Sequence, residues 1–458
     1  MSDIINQLQN LQQYFEASNT QSVVFRKQQL LALKNAVLKY EDELYAALYT
    51  DLKKSKEEVW ATEIGFFLAE LRAILNNLDK WCKPQRVKTN LLNFPSSSFI
   101  QYEPLGVVLI IAPWNYPFQL LFTPLIGAIA AGNCVVLKPS EFTPATEAVM
   151  KKIITSTFSK DYVLYVEGDG ATIVPSMMKG FSFNHIFYTG STSVGKIIYQ
   201  LAAEKLVPVT LELGGKSPCV VDETANIAVA AKRIAQTKFS NCGQMCVAPD
   251  YILVHQSVKA KLIEELIKNI RQFYGEDAEL CYNYGKIINE KQFNRIINYL
   301  QNGTIVYGGK NNIESLYIQP TMLDNVDLES NIMKDEIFGP LLPIITYNTN
   351  QEALDIIKRN PNPLAFYIFA SSDSNQKKWL QNVPAGGACI NNASWHLTNH
   401  YLPFGGRGFS GIGNYHGSFS FKTFSHAKAV LKTPTWFDPS VKYPPFIGKL
   451  WLFKKMIR

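Results

Sequence analysis

Apolar residues near the start of the chain recur at intervals of three and four. Leu30, Leu33, Val37, Tyr40, Leu44 and Leu48 form one stripe, and Ile64, Phe67, Leu71, Ile74 and Leu78 a second. Residues so spaced share one face of a helix, which predicts two long amphipathic helices ahead of any strand. From residue 83 to Pro104 the pattern dissolves into Ser, Asn and Pro, with the β-leaning Phe99-Ile100-Gln101-Tyr102 near its end. That stretch predicts a hairpin leaving the main body. From Val107 a new rhythm begins. Short apolar runs at 107–111, 134–137, 163–166, 185–188 and 207–211 alternate with helix-length segments. Five strands with crossover helices predict a parallel, doubly wound sheet with ligand loops at the strand C-termini. A second α/β block follows, with strands near 251–254, 342–345 and 365–369 and helices near 258–273 and 289–301. No internal repeat or low-complexity tract interrupts it.

At 458 residues, the chain exceeds one compact core, so two or three domains are expected. Hydrophobic residues make up 47% and charged ones 18%, ordinary values for a soluble enzyme. The net charge of +7 is scattered, without the aromatic-interleaved basic stripe of a nucleic-acid binder. Seven cysteines (Cys82, Cys134, Cys219, Cys242, Cys246, Cys281 and Cys389) are too dispersed for a disulfide framework and point to a reducing compartment. Met1-Ser2-Asp3 opens into polar, helix-like sequence rather than a secretory signal. The main apolar stretches, 105–112 and 125–132, fall short of the roughly 20 residues of a membrane helix. A cytoplasmic location without a transmembrane segment is the expectation. The tail 449–458 is basic and aromatic. It suits either weak contact with an anionic membrane surface or a short helix packed on the protein or a partner subunit.

The chemistry gathers around two residues. Glu212 lies in Leu211-Glu212-Leu213-Gly214-Gly215-Lys216, and Cys246 closes Asn241-Cys242-Gly243-Gln244-Met245-Cys246. A thiolate can add to an aldehyde carbonyl, and a carboxylate can later activate the water that removes the acyl group. Either residue alone is weak evidence, since isolated cysteines are usually small buried hydrophobes. Leu211 and Leu213 supply the apolar setting that raises a carboxylate pKa toward a useful base. Asn115, between Trp114 and Tyr116, offers an amide N–H for an oxyanion together with the Cys246 backbone N–H; its plainer role is a turn cap. Cys242 has no nearby histidine for a metal pair and is expected to be packing or a secondary redox-sensitive thiol. No metal is expected. Gly190-Ser191-Thr192-Ser193-Val194-Gly195 follows the fourth strand and opens a helix, where backbone N–H groups can meet a pyrophosphate. Taken alone, it is an ordinary strand-to-helix turn.

Together with Pro113-Trp114-Asn115, Lys138-Pro139-Ser140-Glu141, Glu336-Ile337-Phe338-Gly339-Pro340 and Pro403-Phe404-Gly405-Gly406, these motifs occur in the order of one family. The chain resembles an aldehyde dehydrogenase over roughly residues 100–430. Tyr415-His416-Gly417, the run Ser420 to His426 and the short N-terminus are similar to the class 3 and fatty-aldehyde branch. The resemblance implies an α/β, aldehyde dehydrogenase-like fold. It would comprise a doubly wound dinucleotide-binding domain (1–84 and 107–211), a second α/β catalytic domain (212–418) and a small bridging β element with the tail (85–106 and 419–458). The bridging element would combine the hairpin with a strand near 424–432, and edge strands left unpaired there would pair across a subunit interface to give a homodimer.

The implied reaction is NAD(P)-dependent oxidation of an aliphatic or aromatic aldehyde to its acid, through a cysteine thiohemiacetal and a thioester. Cys246, Glu212 and Asn115 are the implied catalytic residues. Trp114, the Gly190 to Gly195 run, Leu213 and Gly214 are placed at the cofactor. Lys138 and Glu141 would reach the adenosine ribose, and Glu336 and Phe338 the nicotinamide-side ribose and ring. A carboxylate at 141 accepts ribose hydroxyls and repels a 2′-phosphate, whereas Lys138 attracts one, so NAD is favoured and dual use stays open. Tyr116, Trp395, Leu397 and Tyr401 occupy segments that line the substrate tunnel in relatives. Arg407 and Ser418 depart from the family pattern, the first placing a cation on a loop behind the site. The alternatives are an acylating or acyl-phosphate-reducing dehydrogenase of the same fold, a non-catalytic binding or structural descendant, and a cysteine hydrolase. Glu212 speaks against the first, the combined motifs against the second, and the lack of a paired histidine against the third.

Overall fold

The structure, a computed structural model, describes residues 2–457. It opens with helices Ser2–Glu16, Val23–Lys39, Glu41–Leu52 and Gly65–Cys82. The stripe expected as one helix across residues 30–48 is two helices meeting at Tyr40. Only one residue leaves the helical conformation there, so the three-four spacing runs on across the break. Glu41, Asp42 and Glu43 mark the new N-terminus, where the helix dipole favours negative charge. The stripe expected across 64–78 is one helix, entered through Lys56–Val59 and a π-helical turn, Trp60–Ile64.

Two antiparallel strands, β1 (Gln85–Val87) and β2 (Ser97–Pro104), occupy the expected hairpin. The first large sheet takes β3 (Val107–Ile111), β4 (Cys134–Lys138), β5 (Val163–Tyr165), β6 (His185–Thr189) and β7 (Val209–Glu212), all parallel, in the order β7-β6-β3-β4-β5. Every residue of β3, β4 and β6 is buried, as strands covered by helices on both faces must be. The winding reverses between β3 and β6. In an open α/β sheet a ligand crevice forms at that point, between the loops leaving the two strands.

The second sheet contains β8 (Pro218–Val221), β9 (Tyr251–His255) and β10 (Thr304–Tyr307). A small ladder of β11 (Asn311–Asn312) and β12 (Tyr317–Ile318) precedes β13 (Thr321–Asp324), β14 (Leu341–Tyr347), β15 (Ala365–Phe369) and β16 (Gly387–Ile390). Its order is β10-β13-β14-β9-β8-β15-β16, parallel except for β10. The three expected strands are present. The four that the pattern did not reveal, β8, β10, β13 and β16, have four residues each, too few for a periodic signal. Helices Lys259–Tyr274 and Glu290–Asn298 match the expected positions.

Late in the chain, β17 (Gly411–Ile412) returns to the first sheet against β7. Then β18 (Ser425–Lys432) pairs with β2 from Ser425↔Pro104 to Lys432↔Ser97. The hairpin and the late strand therefore join one another within the chain, leaving the outer edges of β1 and β18 as the free ones. The tail ends in a short helix, Leu450–Met456, with Leu450 and Trp451 exposed. Among the described residues, no helix is long and apolar enough to cross a membrane.

Candidate active site

The loops leaving β3, β6 and β7 converge with two segments of the second sheet on one cleft of about 760 Å³. Trp114, Asn115, Gly190, Ser191, Thr192, Ser193, Glu212, Leu213, Gly214, Cys246, Glu336 and Phe338 all line it. Residues far apart in sequence thus share one wall system at the switch point of the first sheet. Four expected cofactor residues lie off that lining. Val194 is half exposed on the first turn of helix Thr192–Ala203, its N–H donating to Ser191 Oγ at 3.4 Å. Gly195 packs so closely on Leu213 that a Cβ would collide with it, which is why glycine suits this helix–strand approach. Lys138 ends β4 and is buried, its Nζ donating to the Pro139 carbonyl at 2.5 Å and to Glu141 Oε2 at 3.4 Å. Glu141 Oε1 accepts from Gly170 N, at the start of helix Gly170–Gly180, at 3.3 Å.

The loop before Cys246 is held in an unusual shape. Asn241, Cys242 and Gly243 all have left-handed backbones, with φ of 48°, 52° and 71°. A Cβ at Gly243 would strike the Gly339 carbonyl, so only glycine fits there. Gln244 is wholly buried and locks the turn: its Nε2 donates to the carbonyls of Asn241 and Lys286, and its Oε1 accepts from Ile288 N at 3.0 Å. Burial first, then the Glu336 and Glu212 carboxylates, push the Cys246 thiol pKa up, against the pull of the Cys246 and Val247 backbone N–H groups. Cys242 is fully buried and does not line the cleft, so its thiol packs in the interior rather than facing a ligand.

Glu212 closes β7, paired with Gly411 of β17. Both carboxylate oxygens are buried with no hydrogen-bond partner among the described residues, and burial raises the acid well above the usual carboxylate range. An unpaired carboxylate removed from water is costly, which is why burial favours the neutral acid here. Glu336 is pushed up to about 8 by burial and then by Asp250, partly offset by the Gly215 N–H, Lys216 and Arg295. A Cβ at Gly214 would fall within the Glu336 carboxylate, so the glycine lets that acid sit against the backbone. Phe338, itself at φ 46°, meets Trp114 edge to face at 5.4 Å. Asn115 Nδ2 donates to the Gln244 carbonyl at 3.1 Å, while its Oδ1 has no partner. One amide hydrogen therefore remains for an incoming oxygen.

Several residues that shape this site carried no signal of their own in the sequence. Lys216 Nζ bonds to Asp250 Oδ2 at 2.5 Å and to the Asp335 carbonyl at 2.9 Å, both ion-pair partners being buried. Asp250 Oδ1 accepts from Ile337 N, and Arg295 donates to the carbonyls of Glu336 and Ile337. Together they hold the Glu336–Phe338 segment from two sides. Of these, only Lys216 stood inside a motif. Of the apolar entrance set, Tyr116 is buried, whereas Trp395 and Tyr401 are exposed and Leu397 is intermediate. Trp395 lines a second groove, at the surface, with Val229, Lys232, Arg233, Gln236, Phe273 and Asn392.

The cleft has the features a dinucleotide requires. Gly190 to Ser193 line it and lead into a twelve-residue helix whose N-terminus favours a pyrophosphate.

Comparison with known proteins gives matches along most of the chain. The model of the Aldehyde dehydrogenase family matches residues 2–430. The chain is 47% identical over 447 residues to the 4,4'-diaponeurosporen-aldehyde dehydrogenase of Staphylococcus aureus, covering 97% of each. It is 40% identical to the dimeric, NADP-preferring aldehyde dehydrogenase of Canis lupus familiaris, covering 98% of this chain and 99% of that one. The substrate-bound structure of Staphylococcus aureus AldH superposes with a TM-score of 0.97 at 46% identity, over 99% of both chains.

Proposed function

The chain belongs to the aldehyde dehydrogenase family, and from that premise we propose that Cys246, Glu212 and Asn115 perform its chemistry. The family oxidises aldehydes to carboxylic acids with NAD or NADP. The supporting observation is Glu212: a buried carboxylate without a partner, on the same cleft as Cys246. In this reading the Cys246 thiolate adds to the aldehyde carbonyl, and the Asn115 amide with the Cys246 backbone N–H holds the oxyanion. A nicotinamide cofactor held beside Glu336 and Phe338 would supply the acceptor for the hydride lost as the thiohemiacetal becomes a thioester. Glu212 then takes a proton from water as that water attacks, and the acid leaves. An acylating dehydrogenase has no use for such a base, which is why hydrolysis is preferred over acyl transfer.

Trp114, Gly190, Ser191, Thr192, Ser193, Val194, Gly195, Leu213 and Gly214 would hold the cofactor. Glu336 and Phe338 would meet its nicotinamide half, and Lys138 with Glu141 its adenosine ribose. The carboxylate of Glu141 favours NAD, and Lys138 beside it admits NADP. Glu141→Gln removes the local repulsion against a 2′-phosphate and leaves Lys138 unopposed. The NADP/NAD ratio of kcat/KM is expected to rise about tenfold. An unmoved ratio would remove Glu141 from the adenosine pocket.

The substrate is an apolar aldehyde, aliphatic or aromatic. The Staphylococcus aureus relative is named for a diaponeurosporen-aldehyde, which favours an aldehyde of that kind here also. Residues 1–84 and 107–211 form the dinucleotide part, 212–418 the catalytic part, and 85–106 with 419–458 the bridging element and tail. The free edges of β1 and β18 are suited to pairing with a second copy, and one relative is named dimeric. A homodimer at micromolar concentration is therefore expected in sedimentation equilibrium; a monomer there would refute it. The reading includes a cytoplasmic location. The exposed Leu450 and Trp451 beside Lys454 and Lys455 allow weak contact of the tail with an anionic membrane surface.

A further inference from the structure

Beneath the Pro113 to Tyr116 turn lies a charged pair that no step above uses. The Lys54 and Glu63 side chains are fully buried, with Nζ 2.7 Å from Oε1. Burying two charges costs desolvation energy that good geometry and further hydrogen bonds must offset. Here the turn supplies those bonds. Lys54 Nζ donates to the Asn115 carbonyl at 2.8 Å and lies 3.8 Å from the centre of the Tyr116 ring. Glu63 Oε2 accepts from the N–H groups of Phe118 and Gln119 at 3.0 and 3.1 Å. Those belong to the first turn of helix Pro117–Ala131 and have no carbonyl partner within it.

A second set of bonds ties the same point to the cysteine loop. Asn241 Nδ2 donates to the Asn115 carbonyl at 2.9 Å, and Asn241 N donates to Glu58 Oε1 at 2.8 Å. Glu58 and Glu63 come from one stretch of chain, and Glu63 lies within the π-helical turn Trp60–Ile64. Such turns are rare and are often found at functional sites. The two acids and Lys54 thus grip the Asn115 turn and the cysteine loop from below.

We propose that Lys54 and Glu63 are positioning residues: they fix the Asn115 backbone so that its side-chain amide stays aimed at the oxygen of the substrate attacked by Cys246. This rests on the oxyanion role of Asn115. A pair that merely stabilised the fold would not act through the Asn115 amide, and that distinction is measurable.

The full-length enzyme, without cofactor, is mixed with p-nitrophenyl acetate. The Cys246 thiolate adds to the ester carbonyl through a tetrahedral oxyanion, p-nitrophenolate leaves, and an acetyl thioester remains. The burst of p-nitrophenolate reports that step alone. Four proteins are compared: the parent, Asn115→Ala, K54M/E63Q, and all three changes together. K54M/E63Q removes both charges, so neither is left buried and unpaired. Its burst is expected to slow by roughly tenfold to a hundredfold, as small misplacements of a catalytic group do. The triple variant should be no slower than Asn115→Ala. Alkylation of Cys246 by iodoacetamide, which forms no oxyanion, should proceed at the parent rate in all four.

A parent-like burst in K54M/E63Q, multiplying losses in the triple variant, or alkylation that slows in step with the burst would each overturn the proposal. A parent-like burst in Asn115→Ala would refute the oxyanion role itself, whatever the pair does. Should K54M/E63Q not fold, Lys54→Arg, which keeps the charge pair but shifts its donors, is judged by the same criteria.

Discussion

Cys246→Ala is expected to abolish aldehyde oxidation while NAD(P) still binds. Alanine keeps the small volume of the site and removes only the sulfur, so the left-handed turn before it and the Gln244 lock should survive. No other thiol can substitute. Cys242 is sealed in the core by the same turn that presents Cys246 to the cleft. Without a nucleophile, only binding and oxyanion stabilisation remain, and the loss should reach at least about four orders of magnitude in kcat. Cofactor binding measured by fluorescence titration separates lost chemistry from a lost fold. Appreciable turnover in a folded variant that binds cofactor would place the nucleophile elsewhere.

Glu212→Gln should divide the reaction at its midpoint. Thioester formation does not need the base, so one equivalent of reduced nicotinamide per active site should appear rapidly. Turnover should then stall, with steady-state rates lower by about 10²–10⁴-fold. The pH dependence has a definite sign. Burial raises the pKa of Glu212 well above the ordinary carboxylate range, which favours the neutral acid. The carboxylate that accepts a proton from water therefore becomes populated only as pH rises, and deacylation in the parent enzyme should accelerate with pH. In Glu212→Gln the residual rate should lose that dependence. Single-turnover mixing followed by steady-state measurement across pH tests both points. Undiminished turnover at every pH would remove Glu212 from the mechanism.

Much of this architecture was legible along the chain. The five apolar runs from Val107 onward are the five parallel strands of the first sheet, with only their ends adjusted. The segments carrying Asn115, Gly190, Glu212, Cys246 and Glu336 do meet at one cleft. Strand spacing and loop motifs are local patterns, and a doubly wound sheet converts them into a place, because its ligand loops gather where the winding reverses. The bend at Tyr40 was less visible, since a single non-helical residue does not interrupt an apolar stripe. Neither were the four-residue strands β8, β10, β13 and β16, which are too short to carry a period. The late strand β18 pairs with β2 of the hairpin, a contact across more than 300 residues whose register no local pattern announces.

By itself, the sequence determined the class of fold, the positions of the first sheet's parallel strands and the residue types available for the chemistry. Each of these follows from propensity, periodicity or a short motif, all confined to neighbouring positions. Only the tertiary structure decided which buried groups are paired and which are left alone. Lys54 with Glu63, Asn241 with Glu58, and Lys216 with Asp250 are contacts between separate elements that no local period announces. The physical reason lies in desolvation. A charge removed from water must find a partner in space, whichever part of the chain supplies it; Glu212 has none among the described residues, so burial favours its neutral acid form.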